Sequence, residues 1–465
     1  MSVKLLGNCL FAVLLAASGG ALAAGDPPPA DDDVEALLKQ AAEDDARMAA
    51  AAAPPAAESG GFFGLRGFSQ VELAHRLDSP RHWSKMLGRL EFGNRGKTGG
   101  GLKWKFSARA DYDAVFALQD DKYIDDVRRD QQFNLAIREA YVDTSLGNWD
   151  LRLGRQHIVW GEVVGLFFAD VVSARDMREF ILPEFNILRI PQWAVRAEHF
   201  GKDSKYELIW IPTPTYDETG VPGAEFFPWQ PVYPGYSTRY RGEIKPSTKL
   251  RRGNYGARGS WLSSGWDYSV FGYRSMDAAP TFYRSFGVNT FAPEVIYQGR
   301  HDRITQWGGT VAKDFEGYVL KAEGVLTRGR KQSVLRLTDD DGVVPQNTFD
   351  WVVSLDLPFE TETRLNLQAF QSIITDHDRD VIPEKTESGY SILFNHKLTP
   401  SVEAEILWVA SLNRTDWMLR PKVNWTFDRN WRLSVGADAF KGPATGLFGR
   451  YGAQDRIYSE LRYSY

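Results

Sequence analysis

The run LKWKFSARADYDAVF (Leu102–Phe116) decides the fold class. Its even positions are Leu102, Trp104, Phe106, Ala108, Ala110, Tyr112, Ala114 and Phe116. Its odd positions, Val115 apart, are polar: Lys103, Lys105, Ser107, Arg109, Asp111 and Asp113. A period of two places the two sets on opposite faces of a strand. The run is long for a strand of an ordinary sandwich. Similar alternation recurs at Asn347–Leu357, Ser388–Leu398, Val402–Ala410, Trp417–Phe427 and Trp431–Ala439.

The connections between such runs alternate in length. Short ones rich in Gly, Asp, Asn and Pro fall at 93–101, 147–150, 201–205, 263–266, 313–317, 358–363, 399–401 and 428–430, as tight turns require. Generally longer ones fall between them, at 78–83, 117–131, 161–191, 212–253, 275–301, 329–346, 375–387, 411–416 and 441–454. Short turns on one rim and long loops on the other describe a transmembrane antiparallel β-barrel. The tally is about 18 strands, or 16 if the weakly patterned first pair, Gly64–Arg76 and Ser84–Phe92, is miscounted.

Composition agrees with an all-β membrane protein. The 465 residues hold 15 Trp, 27 Phe, 19 Tyr and 42 Gly, yet mean hydropathy is −0.36. One lipid face and one wet face produce that mixture. Trp149, Trp266, Phe315, Phe359, Phe427 and Trp431 flank short turns, and Trp160, Trp193, Trp210 and Trp417 flank long loops. These are read as two interfacial girdles. The last strand, DRIYSELRYSY (Asp455–Tyr465), ends on an aromatic residue, the C-terminal signal by which outer-membrane barrels meet their assembly machinery.

The start of the chain reads as an export signal over 1–23. Lys4 is basic, Leu5–Ala17 is apolar, and Ala21-Leu22-Ala23 offers a small-residue cleavage site. That core is too short to span a bilayer. Residues 24–61 form an Ala/Pro-rich periplasmic segment with a short helix expected over Asp31–Ala53, and 62–465 the barrel. The one cysteine, Cys9, lies in the signal, so a disulfide framework is not expected. A net charge of −5 gives no footprint for nucleic acid. The expected location is the bacterial outer membrane, with its lipids and lipopolysaccharide as partners. Homo-oligomerisation is left open.

One stretch breaks the two-residue rhythm: residues 161–191, the third long loop. Asp170, Arg175, Asp176, Arg178, Glu179, Glu184 and Arg189 lie there among Phe168, Phe180, Ile181 and Phe185. A water-exposed loop tip does not need so much apolar surface, so the segment is expected to fold inward as a constriction. Its apolar side chains should then pack on the wall, with Arg175, Arg178, Glu179 and Arg189 facing the aperture. By alternation, Lys103, Lys105, Arg109, Asp111, Asp113, Arg152, Gln156, Lys321, Glu323, Arg420 and Lys422 line the lumen. Acids and bases are nearly balanced there, so strong ion selectivity is not expected.

The sequences LRLGRQHIVWGE, DVVSARDMREFILPE (Asp170–Glu184) and RIPQWAVRAE resemble a porin-like family of proteobacterial outer-membrane proteins defined as a domain of unknown function. The resemblance is specific over 151–198. It implies an outer-membrane channel or transporter handling small solutes, hydrophobic or aromatic ones among them.

Two other function classes are compatible with a barrel. A lipid-acting barrel enzyme built on Ser and His would need a nucleophile and base at one depth. No G-x-S-x-G elbow is present, and His157 is the one base placed near the third loop. A structural or adhesive barrel needs no lumen at all. The acidic runs Asp376–Asp380 and Asp339–Gly342 lack the glycine and distant glutamate of a calcium loop and read as solvated loops. No metal, cofactor or catalytic residue is predicted. The long loop at 212–253, with Trp229, Tyr233, Tyr236 and Tyr240 before the basic run Lys245–Arg252, reads as a mobile surface loop, a solute-collecting surface or a lipopolysaccharide contact.

Overall fold

The computed structural model describes residues 64–465 except 120, 164–167, 248–251, 289–291 and 360–361. The expected signal peptide and the 24–61 segment lie outside the described residues. In chain order the strands are β1 (Arg66–Arg76), β2 (His82–Lys97), β3 (Lys103–Asp113), β4 (Phe133–Leu146), β5 (Trp149–Gln156), β6 (Ala174–Arg175), β7 (Arg189–Ile190) and β8 (Gln192–Phe200). Then come β9 (Ser204–Thr213), β10 (Ser237–Ile244), β11 (Asn254–Ser263), β12 (Trp266–Met276), β13 (Thr281–Val288), β14 (Pro293–Arg300), β15 (Arg303–Asp314) and β16 (Val319–Ser333). The last are β17 (Val343–Phe359), β18 (Thr363–Ile374), β19 (Thr386–Thr399), β20 (Val402–Ser411), β21 (Trp417–Trp425), β22 (Trp431–Lys441) and β23 (Arg456–Ser464).

Eighteen of them form one sheet of antiparallel neighbours. It closes where β1 pairs with β23, from Phe68↔Ser464 to Arg76↔Arg456. Gly67 and Tyr465 exchange both main-chain hydrogen bonds at 3.0 Å beyond that ladder. Closure leaves the sheet without free outer edges. The first pair, β1 and β2, is a true hairpin with register Arg76↔His82 to Arg66↔Gly93, which decides for 18 strands over 16. Its pattern is weak in sequence because Gly67 and Gly88 stand where outward apolar side chains would mark the face, and Gly93 leaves the inward face equally unmarked.

Burial follows the alternation with the signs of a membrane barrel. Outward residues such as Val71, Leu90, Phe106, Leu208, Val270, Trp307, Val435 and Ile457 are exposed. Inward ones such as Gln70, Arg89, Asp111, Glu207, Gln306, Asp438 and Arg462 are buried. Trp149, Phe315, Phe359, Phe427 and Trp431 stay exposed beside the short turns, as do Trp193 and Trp210 towards the other rim.

Three expectations are corrected. Trp160 is not a girdle residue: it is wholly buried, because the chain leaves the wall at Gln156 and turns inward. The third loop therefore runs over 157–191. The expected loop at 329–346 is half strand, with β16 and β17 extending to Ser333 and from Val343. Nor is the 212–253 loop loose. Its β10 pairs in parallel with β14, which pairs antiparallel with β13, giving a small sheet built from two long loops.

Two His–Glu contacts pin that loop. His82 Nδ1 lies 2.7 Å from the Pro80 carbonyl and Nε2 2.7 Å from Glu225. His301 Nδ1 lies 2.8 Å from the Asp277 carbonyl and Nε2 2.5 Å from Glu243.

Candidate pore constriction

The third loop crosses the lumen and stands on opposite walls. Its first foot is apolar. Ile158, Trp160, Ala169 and Val172 pack on Ala194, Ile209, Ile211, Phe271, Tyr273 and Val325. The Trp160 ring lies 5.2 Å from Phe271 and 5.7 Å from Tyr273, and its Nε1–H donates to Glu207 at 2.8 Å. Gly256 is required beneath it, since a Cβ there would come within 2.8 Å of the indole. Beside this foot the Glu323 carboxylate accepts three main-chain N–H groups, from Glu162, Val163 (2.7 Å) and Ala169 (3.1 Å). Such a cluster of donors suits an anion. Glu162 is in turn held by Arg258 at 3.2 Å and Thr310 at 2.8 Å.

The second foot joins Phe180 and Leu182 to Val409, Met418, Phe440, Phe448 and Tyr451, with Phe226 arriving from the 214–253 loop. Phe180 adopts a φ of 53°, a left-handed conformation that costs a non-glycine residue about 1–3 kcal/mol and persists where packing imposes it.

Between and beside the feet runs a comb of ion pairs. Glu179 meets Lys85 at 2.7 Å and Arg456 at 3.2 Å. Glu184 meets Arg432 at 2.7 Å and Arg462 at 3.0 Å. Wall arginines also donate to loop carbonyls: Arg420 to Leu182 at 2.8 Å, Arg109 to Ile187 at 3.2 Å and Arg138 to Asn186 at 2.5 Å. Asp176 holds Arg178 at 2.6 Å, and Asp170 holds Arg189 at 2.7 Å. Arg175 donates from its guanidinium to the Asp170 carbonyl at 2.9 Å and from its main chain to Asp217 at 2.8 Å.

The division expected between wall-facing apolar and aperture-facing charged residues holds for Arg178 and Glu179 in that both line a lumen cavity, but Glu179 also pairs with wall cations. Both kinds reach the wall, because buried lumen cations need counter-ions once the loop displaces their water. Glu179 and Glu184 bind across to strands, while Arg175, Arg178 and Arg189 tie the loop to itself and to its neighbours. Of the residues assigned to the lumen, Arg109, Asp111, Asp113, Gln156 and Glu323 are buried and Arg420 is a loop anchor. Lys105 pairs with Glu139, Arg152 with Asp143 at 2.6 Å and Lys422 with Glu405 at 3.0 Å. Lys103 is exposed near the short-turn rim and Lys321 is half-buried. Lys85, Arg89, Arg138 and Glu207 escaped the sequence reading. Lys85, Leu87, Arg89 and Glu91 do alternate with Met86, Gly88, Leu90 and Phe92, so the signal for two of them was present.

Electrostatics makes the comb resistant to acid. Burial opposes ionisation of Glu179, but Lys85 and Arg456 outweigh it and hold the carboxyl at about 2. Burial likewise opposes ionisation of Glu184, and Arg462 and Arg432 still hold it below the usual glutamate range. A depressed native pKa contributes stability above the unfolded value, lost only as pH falls through the native one. Titrating the refolded protein from neutral pH downward should therefore keep the Glu179 pairs until close to about 2, while Asp217, which accepts the Arg175 main-chain N–H and which burial pushes up to about 6, takes up its proton first. A jump near pH 5 to the conductance of a variant lacking the inward loop would show that Glu179 does not hold it.

A family model described as "Protein of unknown function (DUF1302)" matches residues 84–465. Among solved structures, the OmpF of Salmonella typhi in complex with daunomycin is 10% identical and covers 86% of this chain and 97% of its own, at a TM-score of 0.42. OccAB4 of Acinetobacter baumannii gives 10% identity, 86% and 97% coverage and a TM-score of 0.49. OccAB3 of the same organism gives 9%, 87%, 100% and 0.49. No curated protein matches. With 84–465 matched, which takes in every barrel strand from β3 on and the whole constriction, the chain belongs to the family described as protein of unknown function (DUF1302).

Proposed function

We propose that this protein is an outer-membrane channel or facilitator for small solutes, hydrophobic or aromatic ones among them, and that the 157–191 loop is its constriction. The observation that carries the reading is the placement of that loop inside a closed 18-stranded sheet, with feet on opposite walls. A barrel of this strand number encloses a lumen wide enough for water and solutes, and what narrows it sets passage. Facing acids and bases in the comb create a transverse field that orients dipolar solutes.

Location in a bacterial outer membrane is supported by the outward apolar band and the aromatic residues at both rims. Lipopolysaccharide contact is assigned to the basic stretch around Lys245 and Arg252. Recognition by the assembly machinery is assigned to the strand ending at Tyr465, whose hydroxyl donates to the Glu91 carbonyl at 3.0 Å. The test is planar-bilayer recording of the refolded full chain, in which small, voltage-stable steps are expected. Silence from both the full chain and a variant lacking the inward loop would overturn the channel reading.

A further inference from the structure

The inward loop leaves two neighbouring cavities in the lumen. The outer one, towards the long-loop rim, is lined by Asp113, Phe116, Glu225 and Phe226 among others. The inner one is lined by Glu72, Leu182, Arg420 and Tyr458 among others. Four residues line both: Arg89 and Arg456 from the wall, and Pro183 and Ile187 from the loop. They mark the junction, where a solute moving from one cavity to the other passes between two guanidiniums and an apolar edge.

Most of the charge around the outer cavity is already matched. Lys85 pairs with Glu72 and Glu179, Asp111 with Arg89 and Arg109, and Asp176 with Arg178. Three atoms are left over. Arg89 uses Nε and Nη2 on Asp111, and Arg456 uses Nε on Asp438 and Nη1 on Glu179. Arg89 Nη1 and Arg456 Nη2 have no hydrogen-bond partner among the described residues, although the two side chains are only 9% and 4% exposed. Neither atom is sealed in protein, so each faces open space, and the space these arginines line is the junction. The third atom is on Asp113, 6% exposed. Its Oδ1 accepts the main-chain N–H groups of Met86 and Val115 at 2.8 and 3.1 Å, and its Oδ2 has no partner among the described residues. Two buried donors and one buried acceptor are costly unless something in the cavity completes them.

Their spacing says what would. Arg89 pairs with Asp111 across the β2–β3 ladder, and Asp113 is the next residue on the same face of β3. One same-face step is about 7 Å. Two charge-assisted hydrogen bonds of about 2.8 Å each leave room in that span for an ammonium and a carboxylate on one carbon. An ammonium only donates and suits Asp113 Oδ2, while two guanidinium N–H groups suit the two oxygens of a carboxylate. A simple anion would leave Asp113 unmatched, and a simple amine would leave both arginines so.

We propose that the junction of the two cavities is a binding step for a small zwitterion with an apolar side chain, such as an α-amino acid of leucine size. Asp113 takes its ammonium, Arg89 and Arg456 take its carboxylate, and Pro183 and Ile187 receive the side chain. The proposal rests on the channel reading and adds the class of solute that the channel recognises.

The test is planar-bilayer recording of the refolded full chain at neutral pH with L-leucine, 4-methylpentanoate or 3-methylbutylamine. The three share one apolar body and differ in their charged groups. L-Leucine should interrupt the ion current in blocks that last several-fold longer than those of the other two. Asp113→Asn keeps an Oδ1 acceptor for Met86 and Val115. It should shorten the leucine blocks to the level of 4-methylpentanoate without shortening those of 4-methylpentanoate itself. Arg89→Lys keeps a charge beside Asp111 and removes Nη1. It should shorten the blocks by leucine and by 4-methylpentanoate and leave those by 3-methylbutylamine unchanged. Equal block by all three solutes, or a parallel change for all three in Asp113→Asn, overturns the zwitterion site but not the channel. Absence of any ion current, from the unaltered chain and from the variant lacking the inward loop, overturns the channel itself. A second measurement does not depend on conductance. A ligand that binds the native state raises its unfolding midpoint by mass action, so L-leucine should raise that of the unaltered protein in detergent and not that of Asp113→Asn. No rise in the unaltered protein overturns the site.

Discussion

Deleting residues 163–184 is expected to raise single-channel conductance by roughly an order of magnitude, because a barrel of this strand number encloses an aqueous lumen once nothing crosses it. The deletion removes the second foot, both anchoring glutamates and the span between the feet. It keeps Trp160 on its wall and β8 in the sheet. Lys85, Arg432, Arg456 and Arg462 lose their loop counter-ions but regain water, so the desolvation that makes unpaired buried charge expensive is relieved at the same moment. With these four cations facing an open lumen and Glu179 and Glu184 gone, the widened pore should also favour anions over cations. Reversal potentials in a salt gradient would check this. An unchanged conductance would mean that the loop does not set the narrowest section.

Trp160→Ala should be the costliest single substitution in the loop, at about 3–5 kcal/mol for truncating a fully buried tryptophan. The side chain fills the space above Gly256 and beside Phe271 and Tyr273. Glu207 would lose its indole donor but keep Arg196 at 2.9 Å, which limits the additional electrostatic loss. Trp160→Phe separates the two parts. It keeps most of the ring packing and loses the hydrogen bond to a charged acceptor, so it should cost about 1.5–3 kcal/mol. Unfolding in denaturant, followed by tryptophan fluorescence and by heat-modifiable gel mobility, would measure both. Because Trp160 anchors the first foot, Trp160→Ala should also make the conductance noisy, with brief openings absent from Trp160→Phe. Equal stability of the alanine variant and the unaltered protein would remove the first foot from the account.

Much of the barrel is legible in the amino-acid order because its determinants are local. A strand's side-chain period is two whatever surrounds it, so Leu102–Phe116 sorts its own faces. Turn chemistry at 147–150 or 428–430 is set within four residues, so the two rims can be told apart by counting. The weak first pair could not be decided this way, because Gly67, Gly88 and Gly93 carry no side chain to mark a face.

The third loop was legible only as an exception. Its apolar residues foretold an inward path, since only packing justifies them. What its charges do was not legible, because their partners are remote in sequence: Glu184 and Arg432 are 248 residues apart, and Glu162 meets Glu323 across 161. No local pattern distinguishes a carboxylate facing water from one facing a guanidinium on the opposite wall. Trp160 shows the same limit, for its position beside a long loop fits a girdle until the chain is seen to turn inward at Gln156.

The sequence by itself therefore determined the strand periodicity, the two rims and the membrane-facing band, all consequences of backbone geometry and side-chain polarity over short distances. Only the tertiary structure decided where the third loop's ion pairs go, that Glu323 gathers its main-chain N–H groups, and that the β4–β5 ladder stops at Ala140↔Arg155. Those features depend on closure, which brings β1 to β23 and fixes which walls face each other. The same inward turn that builds the constriction takes the strand away from the wall beside it.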